Sequence, residues 1–297
     1  MTSRINTAAL FGHPDDEVVQ AQMARVADWL AAADVRVLVA EASDSVAAIR
    51  WPEAQLADEA DLFIAIGGDG TMLYAARKAV GHDIPLLGIN LGKLGFLTDV
   101  SPEETESSLA AVLENRALTE SRLLLDTAIM RDGERIASAL AMNDVVLGRR
   151  DTGRMVDFET RVNGVFVNNH AGDGLIVATP TGSTAYALSC GGPIIQPGLN
   201  AIAVVPVCPH TLSDRPVVLP ADALIEVERT ERYQTPAEIS VDGQFLATLE
   251  SGDTLTIQAS TQRLTLIHPP GYDYFELLRS KLNWGISTRR ARPRLDK

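Results

Sequence analysis

Hydrophobic and polar positions follow two different periods along this chain. Ala8 to Phe11 is a short apolar run that reads as a buried strand. Val19, Met23, Val26 and Leu30 then recur at spacings of four, three and four, which lines one face of an α-helix. Pro14 is the expected opening of that helix, with Asp15, Asp16 and Glu17 in a first turn where the macrodipole favours acids. Val35 to Ala40, Leu62 to Ile66 and Ile84 to Asn90 read as further strands, and Leu62 to Ile66 is apolar on both faces, as a buried parallel strand must be. Met72 to Val80 reads as a helix, and Ser101 with Glu104 has capping-box spacing ahead of a helix over 107–115. This alternation predicts α/β architecture with a doubly wound parallel sheet.

Past about residue 119 the helical period gives way to short strand-like runs. They include Leu123 to Met130, Val145 to Leu147, Phe158 to Val162, Leu175 to Ala178, Ile202 to Val207, Leu224 to Val227 and Leu255 to Ile257. The turn dipeptides Asp132-Gly133, Asn163-Gly164 and Asp242-Gly243 punctuate them. A β-rich second domain over 120–272 is expected, interrupted by a short helix near Ala185 to Leu188. Tyr274 to Leu282 is helical again, so a segment of about 273–297 is expected to return to the first domain, 1–119.

Composition narrows the function. The 297 residues carry 26 Lys plus Arg against 39 Asp plus Glu, a net charge of −13, without the basic footprint of a nucleic-acid binder. With 46% hydrophobic and 22% charged residues the chain is no disordered polymer, and no apolar run is long enough for a membrane span. The N-terminal MTSRINTAALFGHPDD lacks the pattern of a signal peptide. Cys190 and Cys208 have no CxxC spacing and read as free thiols of a cytoplasmic protein. The basic cluster ISTRRARPRLDK at the C-terminus reads as a solvated tail.

Three stretches carry candidate chemistry. The first is Gly67-Gly68-Asp69-Gly70-Thr71, between a buried strand and a helix. Glycines let backbone N–H groups approach a phosphate, and a helix N-terminus favours an anion. An acid inside such a loop repels phosphate unless it holds Mg²⁺ or accepts a proton from an attacking hydroxyl. A plain strand–helix turn with Asp69 as a solvated cap is the bland alternative. The loop lacks P-loop and GxGxxG spacing. Gly12-His13-Pro14 is a structural turn or a second wall of the same crevice. The second stretch is Asn143-Asp144, which can read donors and acceptors of a nucleoside but also suits an ordinary turn. The third is Gly172-Asp173-Gly174 with the Thr-, Ser- and Tyr-rich run Thr179 to Ser189, fit for a purine edge, ribose and phosphate, or for simple helix capping. No two of the five histidines have zinc-ligand spacing.

Taken together, these motifs resemble the NAD kinases. The resemblance rests on GGDGT at 67–71, LGKLGFLT at 91–98, Asn143-Asp144, GDGLIVATPTGSTAYALSCGGP at 172–193, PHTLSDRPVVLP at 209–220, VDGQ at 241–244 and LLRSKLNWG at 277–285. GGDGT alone is shared with diacylglycerol and sphingosine kinases; the TPTGSTAY stretch is the more specific part. The resemblance implies that the second domain binds NAD and that ATP, with Mg²⁺ or another divalent cation, phosphorylates the 2′-hydroxyl of its adenosine ribose. Polyphosphate is a further donor used in the family. The resemblance also implies Asp69 as proton acceptor, and Gly67, Gly68, Gly70 and Thr71 as the phosphate loop. NAD contacts would come from Asp69, Gly70, Asn143, Asp144, Arg154, Asp173, Thr181, Thr184, Ala185, Tyr186, Ala187, Leu188, Ser189 and Gln244. No protein metal ligand is assigned, and a homodimer or homotetramer is implied. The alternatives are a lipid kinase, for which no basic amphipathic helix is evident, and a nucleotide sensor without turnover.

Overall fold

The computed structural model describes residues 4–40, 48–92, 95–149, 155–211, 213–230 and 236–284. Arg154 and the basic C-terminal cluster lie outside the described residues. The first third lays down β1 (Thr7–Phe11), α1 (Glu17–Ala32), β2 (Arg36–Ala40), β3 (Ile49–Trp51), α2 (Leu56–Glu59), β4 (Leu62–Ile66), α3 (Asp69–Ala79), β5 (Leu86–Ile89) and α4 (Thr105–Leu113). The order β3-β2-β1-β4-β5 is parallel throughout, and it reverses direction between β1 and β4. Val19, Met23, Val26 and Leu30 of α1 pack with Leu109 and Val112 of α4 on one face. Met72, Ala75, Ala76 and Ala79 of α3 cover the other. Helices on both faces explain why β4 is apolar on both sides.

The α1 start differs from the expectation at Pro14. The helix begins at Glu17 because the Asp16 carboxylate accepts the backbone N–H of Val18 and Val19, at 3.0 and 3.2 Å, and so caps it. The Ser101–Glu104 hydrogen bonds form, but in the turn before α4, which begins at Thr105.

The second half adds β6 (Leu118–Arg131), β7 (Glu134–Ala141), β8 (Asp144–Arg149), β9 (Val156–Val162), β10 (Val165–Gly172), β11 (Gly174–Ala178), α5 (Tyr186–Ser189) and β12 (Ala201–Val207). β13 (Val217–Pro220), β14 (Ile225–Arg229), β15 (Ala237–Val241), β16 (Gln244–Leu249), β17 (Thr254–His268) and α6 (Tyr274–Leu282) follow. An antiparallel sheet β13-β12-β11-β8-β15-β16 faces β10-β9-β14-β17-β6-β7 across a shared apolar core that includes Leu125, Leu147, Phe158, Leu175, Val227 and Ile239. The turn pairs Asp132-Gly133, Asn163-Gly164 and Asp242-Gly243 all have positive φ at both residues, as two-residue hairpins require.

The two halves share strands. Ile225 of β14 pairs with Ile257 in the first part of β17, whereas Leu266 and Ile267 in its last part pair in parallel with Leu86 and Leu87 of β5. β6 runs antiparallel beside both parts, with a register shift between Ala259 and Arg263. The C-terminal return to the first sheet is therefore made by β17 before α6 begins.

Candidate active site

The phosphate-loop candidate starts where β4 ends. Gly67 donates its N–H to the Ile89 carbonyl at 2.9 Å and turns away with φ 147°. A Cβ there would stand 2.6 Å from Thr71 Oγ1, so the turn needs glycine. Gly68 caps α3 without a side chain, and Asp69 is the first helical residue. Among the described residues, no atom beyond the adjoining backbone lies within 4 Å of where a Cβ on Gly68 or Gly70 would stand, which leaves this backbone open to a ligand.

Asp69 is not a solvated cap. Its Oδ2 accepts the N–H of Phe96 and its Oδ1 that of Leu97, each at 3.0 Å, with Thr98 Oγ1 at 3.4 Å. The carboxylate thus holds the loop that follows β5. Gly95 makes the approach possible, because a Cβ there would collide with Asp69 Oδ1. This gives the second glycine of LGKLGFLT a physical task; Lys93 and Leu94 lie outside the described residues.

Beside the loop is a cavity of about 410 Å³ lined by Gly12, His13, Pro14, Gly70, Thr71 and Tyr74, among others. It opens at the carboxyl ends of β1 and β4, where the sheet order reverses and open α/β sheets bind ligands. Gly12-His13-Pro14 is therefore a wall of the crevice. Exposed Tyr74 hydrogen-bonds Glu53, which also pairs with Lys78 at 2.7 Å.

The second wall comes from the β-rich half. Met142 packs in the same core cluster as Met72, Ala75 and Ala76, which sets Asn143 and Asp144 against the α3 side of the first sheet. The Asp242 carboxylate accepts the N–H groups of Met142, Asn143 and Asp144 at 2.9, 2.7 and 3.1 Å. From the other side Thr179 donates its N–H to the Asn143 carbonyl at 2.9 Å and its hydroxyl to the Met142 carbonyl at 2.6 Å. Gly182 presses on the Asn143 carbonyl so closely that a Cβ would collide with it. Asp144 is buried, and burial first, then the Asp242 charge, pushes its carboxyl up to about 7. Asn143 Oδ1 is buried with no hydrogen-bond partner among the described residues.

The Thr179 to Ser189 run divides into structural and open positions. Ser183 is a staple: its Oγ donates to the Pro180 carbonyl at 2.6 Å and accepts the Ile195 N–H at 2.9 Å. Thr181 is buried with Oγ1 3.4 Å from Arg122 Nη1, and Thr184 donates its hydroxyl to the Thr181 carbonyl at 3.2 Å. Ala185 is the N-cap of α5, Leu188 is half-buried and Ser189 exposed, while the Ala187 side chain is buried against Ile176 and Val205. Tyr186 is 47% exposed. Asp173 pairs with Arg149 at 3.3 Å, and Gln244 is exposed at the start of β16.

Sequence reasoning missed Asp242, Gly95 and Gly182. Asp242 was legible as half of a turn dipeptide and as part of VDGQ but was given no role, and the two glycines matter through contacts distant in sequence.

The comparisons with known proteins agree with this geometry. Residues 9–117 match the ATP-NAD kinase N-terminal domain and residues 142–269 the ATP-NAD kinase C-terminal domain. The chain is 42% identical over 284 residues to an NAD kinase of Thiobacillus denitrificans, covering 94% of this chain and 97% of that one. It is 49% identical over 230 residues to an NAD kinase of Pseudomonas putida, with 77% and 78% covered. Among solved structures it superposes on the yeast NADH kinase complexed with NADH at TM-score 0.90 and 25% identity, covering 98% of this chain and 91% of that one. An Archaeoglobus fulgidus NAD kinase in complex with ATP gives TM-score 0.73 at 28% identity, covering 93% and 98%. With a doubly wound half that carries the GGDGT loop, a β-rich half that faces it, and matches to both domains and to whole relatives, the chain belongs to the ATP-NAD kinase family.

Proposed function

We propose that this NAD kinase transfers the γ-phosphate of ATP to the 2′-hydroxyl of the adenosine ribose of NAD, making NADP, with Asp69 taking the hydroxyl proton. The observation that carries the reading is the placement of Asp69, an oriented carboxylate flanked by the open backbone of Gly68 and Gly70. The ATP phosphates lie along Gly67 to Thr71 and the nucleoside in the crevice by Gly12, His13, Pro14 and Tyr74. NAD lies on the facing wall. Asn143 Oδ1 offers it a free acceptor and Asp144 a carboxylate for ribose hydroxyls. Thr181, Thr184, Ala185, Tyr186, Leu188 and Ser189 surround it, with Asp173 and Gln244 nearby; Ala187 acts through packing.

Phosphoryl transfer passes through a loose transition state, so the protein contributes mainly position and charge stabilisation. Two backbone N–H bonds fix the plane of Asp69. It can hold the ribose hydroxyl in line and accept its proton as the new bond forms, worth about 10²–10⁴ in rate. Among the described residues no three His, Cys, Asp or Glu side chains gather as a metal cage. A Mg²⁺ held with the ATP phosphates beside Gly67 to Thr71 would supply charge neutralisation to the transferred group.

The finer assignments have separate support. No helix among the described residues is long and apolar enough to cross a membrane, and the free thiols Cys190 and Cys208 favour the reducing cytoplasm. The edge strands β10 and β13 expose Val165, Phe166, Val167, Val217 and Val218, which supports a homodimer or homotetramer through the β-rich half.

The test is a panel of ATP and polyphosphate as donors and NAD and NADH as acceptors, with Mg²⁺ and product identification by mass. NADP from ATP and NAD is the expected product. No phosphate on NAD with either donor would overturn the reading in favour of a nucleotide sensor.

A further inference from the structure

A second polar cluster lies off the reacting groups, at the seam where β17 enters the first sheet. His268, the last residue of β17, is buried. Its Nδ1 is 2.6 Å from Asp99 Oδ2, and its Nε2 is 3.3 Å from Glu120 Oε2, an ion-pair contact rather than an aligned hydrogen bond. The same Glu120 oxygen accepts Arg122 Nη2 at 2.7 Å, and Arg122, almost wholly buried, reaches Thr181 Oγ1 with Nη1 at 3.4 Å. The Tyr272 ring stacks on the imidazole at 3.9 Å with an interplanar angle of 8°. Asp99 sits two residues beyond Leu97, whose N–H is held by Asp69. A continuous series of contacts thus joins Asp69, through the 95–99 loop, Asp99, His268, Glu120 and Arg122, to Thr181.

We propose that His268 is a positioning residue for phosphoryl transfer, clamping the 95–99 loop, on which the Asp69 carboxylate is anchored, to the β6 strand and so fixing Asp69 relative to the Thr181 wall. The proposal rests on the functional reading above. Its first argument is charge. Asp99, Glu120 and Arg122 together leave one negative charge, which a protonated His268 cancels. A neutral His268 would leave that negative charge uncompensated in a buried cluster, a costly state. Buried ion pairs add little net stability over apolar packing, so the cluster is better explained by the geometry it fixes. The second argument is location, because the cluster joins the loop that anchors Asp69 to Arg122, the neighbour of Thr181.

The groups facing the imidazole are Asp99 from the loop after β5, Glu120 and Arg122 from β6, and Tyr272 from the segment before α6. Burial and Arg122 pull the His268 pKa down, but the contacts with the Asp99 and Glu120 carboxylates outweigh them and the net direction is up. For a base with a raised folded pKa, the clamp is fully formed below the ordinary histidine value and is lost as pH rises through the raised one. Turnover should therefore fall on the alkaline side with the titration of this ring.

The experiment compares wild type, His268→Gln, Asp99→Asn and the double variant by kcat, KM for NAD and ATP, and kcat against pH. His268→Gln should lower kcat by about 10- to 100-fold, as small misplacements do, with both KM values within about twofold. Its kcat should lose the alkaline fall of the wild type. Asp99→Asn should behave alike and the double variant no worse, since the pair acts as one unit. Should the variants fail to fold, ¹⁵N shifts of the His268 ring in the wild type take their place: both nitrogens protonated at neutral pH and deprotonating with the kcat fall support the proposal. A neutral ring at neutral pH, or folded variants with wild-type kcat and only lowered Tm, would overturn it. A wild type that makes no NADP would overturn the functional reading and this proposal with it, whereas an active wild type with an equally active His268→Gln overturns the proposal alone.

Discussion

Asp242 accepts the backbone N–H of Asp144 at 3.1 Å while its charge helps keep the Asp144 carboxyl protonated. One buried acid thus places a second and tunes it. The Asp144 carboxyl is pushed up to about 7, by burial first and by Asp242 next.

This sets a pH dependence for acceptor binding. A carboxylate that accepts ribose hydroxyls must be ionised, so NAD binding should tighten as pH rises through about 7. With one proton released, the Kd at pH 6 should be about tenfold that at pH 8. Asp144→Asn should bind more weakly and lose the slope. For the free protein the sign is opposite: a raised folded pKa on an acid means that this group lowers stability as pH climbs from its unfolded value to about 7. Calorimetric titration of NAD at several pH values checks the first claim, and a wild-type Kd that is flat or weakens with pH would refute the assignment.

Two glycine substitutions separate ligand space from protein space. Gly68 has an extended backbone and an open Cβ position, so Gly68→Ala should fold with unchanged Tm. If ATP phosphate lies against it, the KM for ATP should rise about tenfold or more while that for NAD stays put. Gly95→Ala drives a methyl into Asp69 and should lower stability by about 1–3 kcal/mol and reduce kcat. Steady-state kinetics with thermal melts distinguish them; equal Tm losses in both would count against an open phosphate loop.

Tyr186 is the one aromatic residue of TPTGSTAY and is exposed, with a ring free to pack on a base or ribose. Tyr186→Ala should raise the KM for NAD more than that for ATP and leave Tm nearly unchanged. Equal effects on both substrates would take Tyr186 out of the acceptor pocket.

The sequence was most legible where structure is local. The Val19–Leu30 stripe is the buried face of α1, and Tyr274–Leu282 is helical as its pattern implied. Pro14 misled because the Asp16 carboxylate wins the helix cap. Of β17 only Leu255–Ile257 stood out, because the run from Gln258 to Arg263 is largely polar and breaks register against β6. Its pairing with β5 joins segments too far apart for any periodicity to reveal. The site divides the same way. The GGDGT loop can be read from five consecutive residues, whereas Asp69 on Leu97, Gly182 on Asn143 and Asp242 under Asn143-Asp144 arise only when distant loops meet.

The central claim is that Asp69 takes the ribose proton. Asp69→Asn keeps the shape but not the basicity, and it offers only one acceptor oxygen to the two N–H groups of Phe96 and Leu97. Gly95→Ala, which disturbs the loop but keeps the carboxylate, calibrates that structural part. The decisive measurement is single-turnover formation of NADP by Asp69→Asn at saturating ATP and NAD, beside wild type and Gly95→Ala. The account predicts a rate about two to four orders of magnitude below wild type and well below Gly95→Ala, with NAD affinity little changed. A rate equal to wild type, or a loss no larger than that of Gly95→Ala, would contradict it.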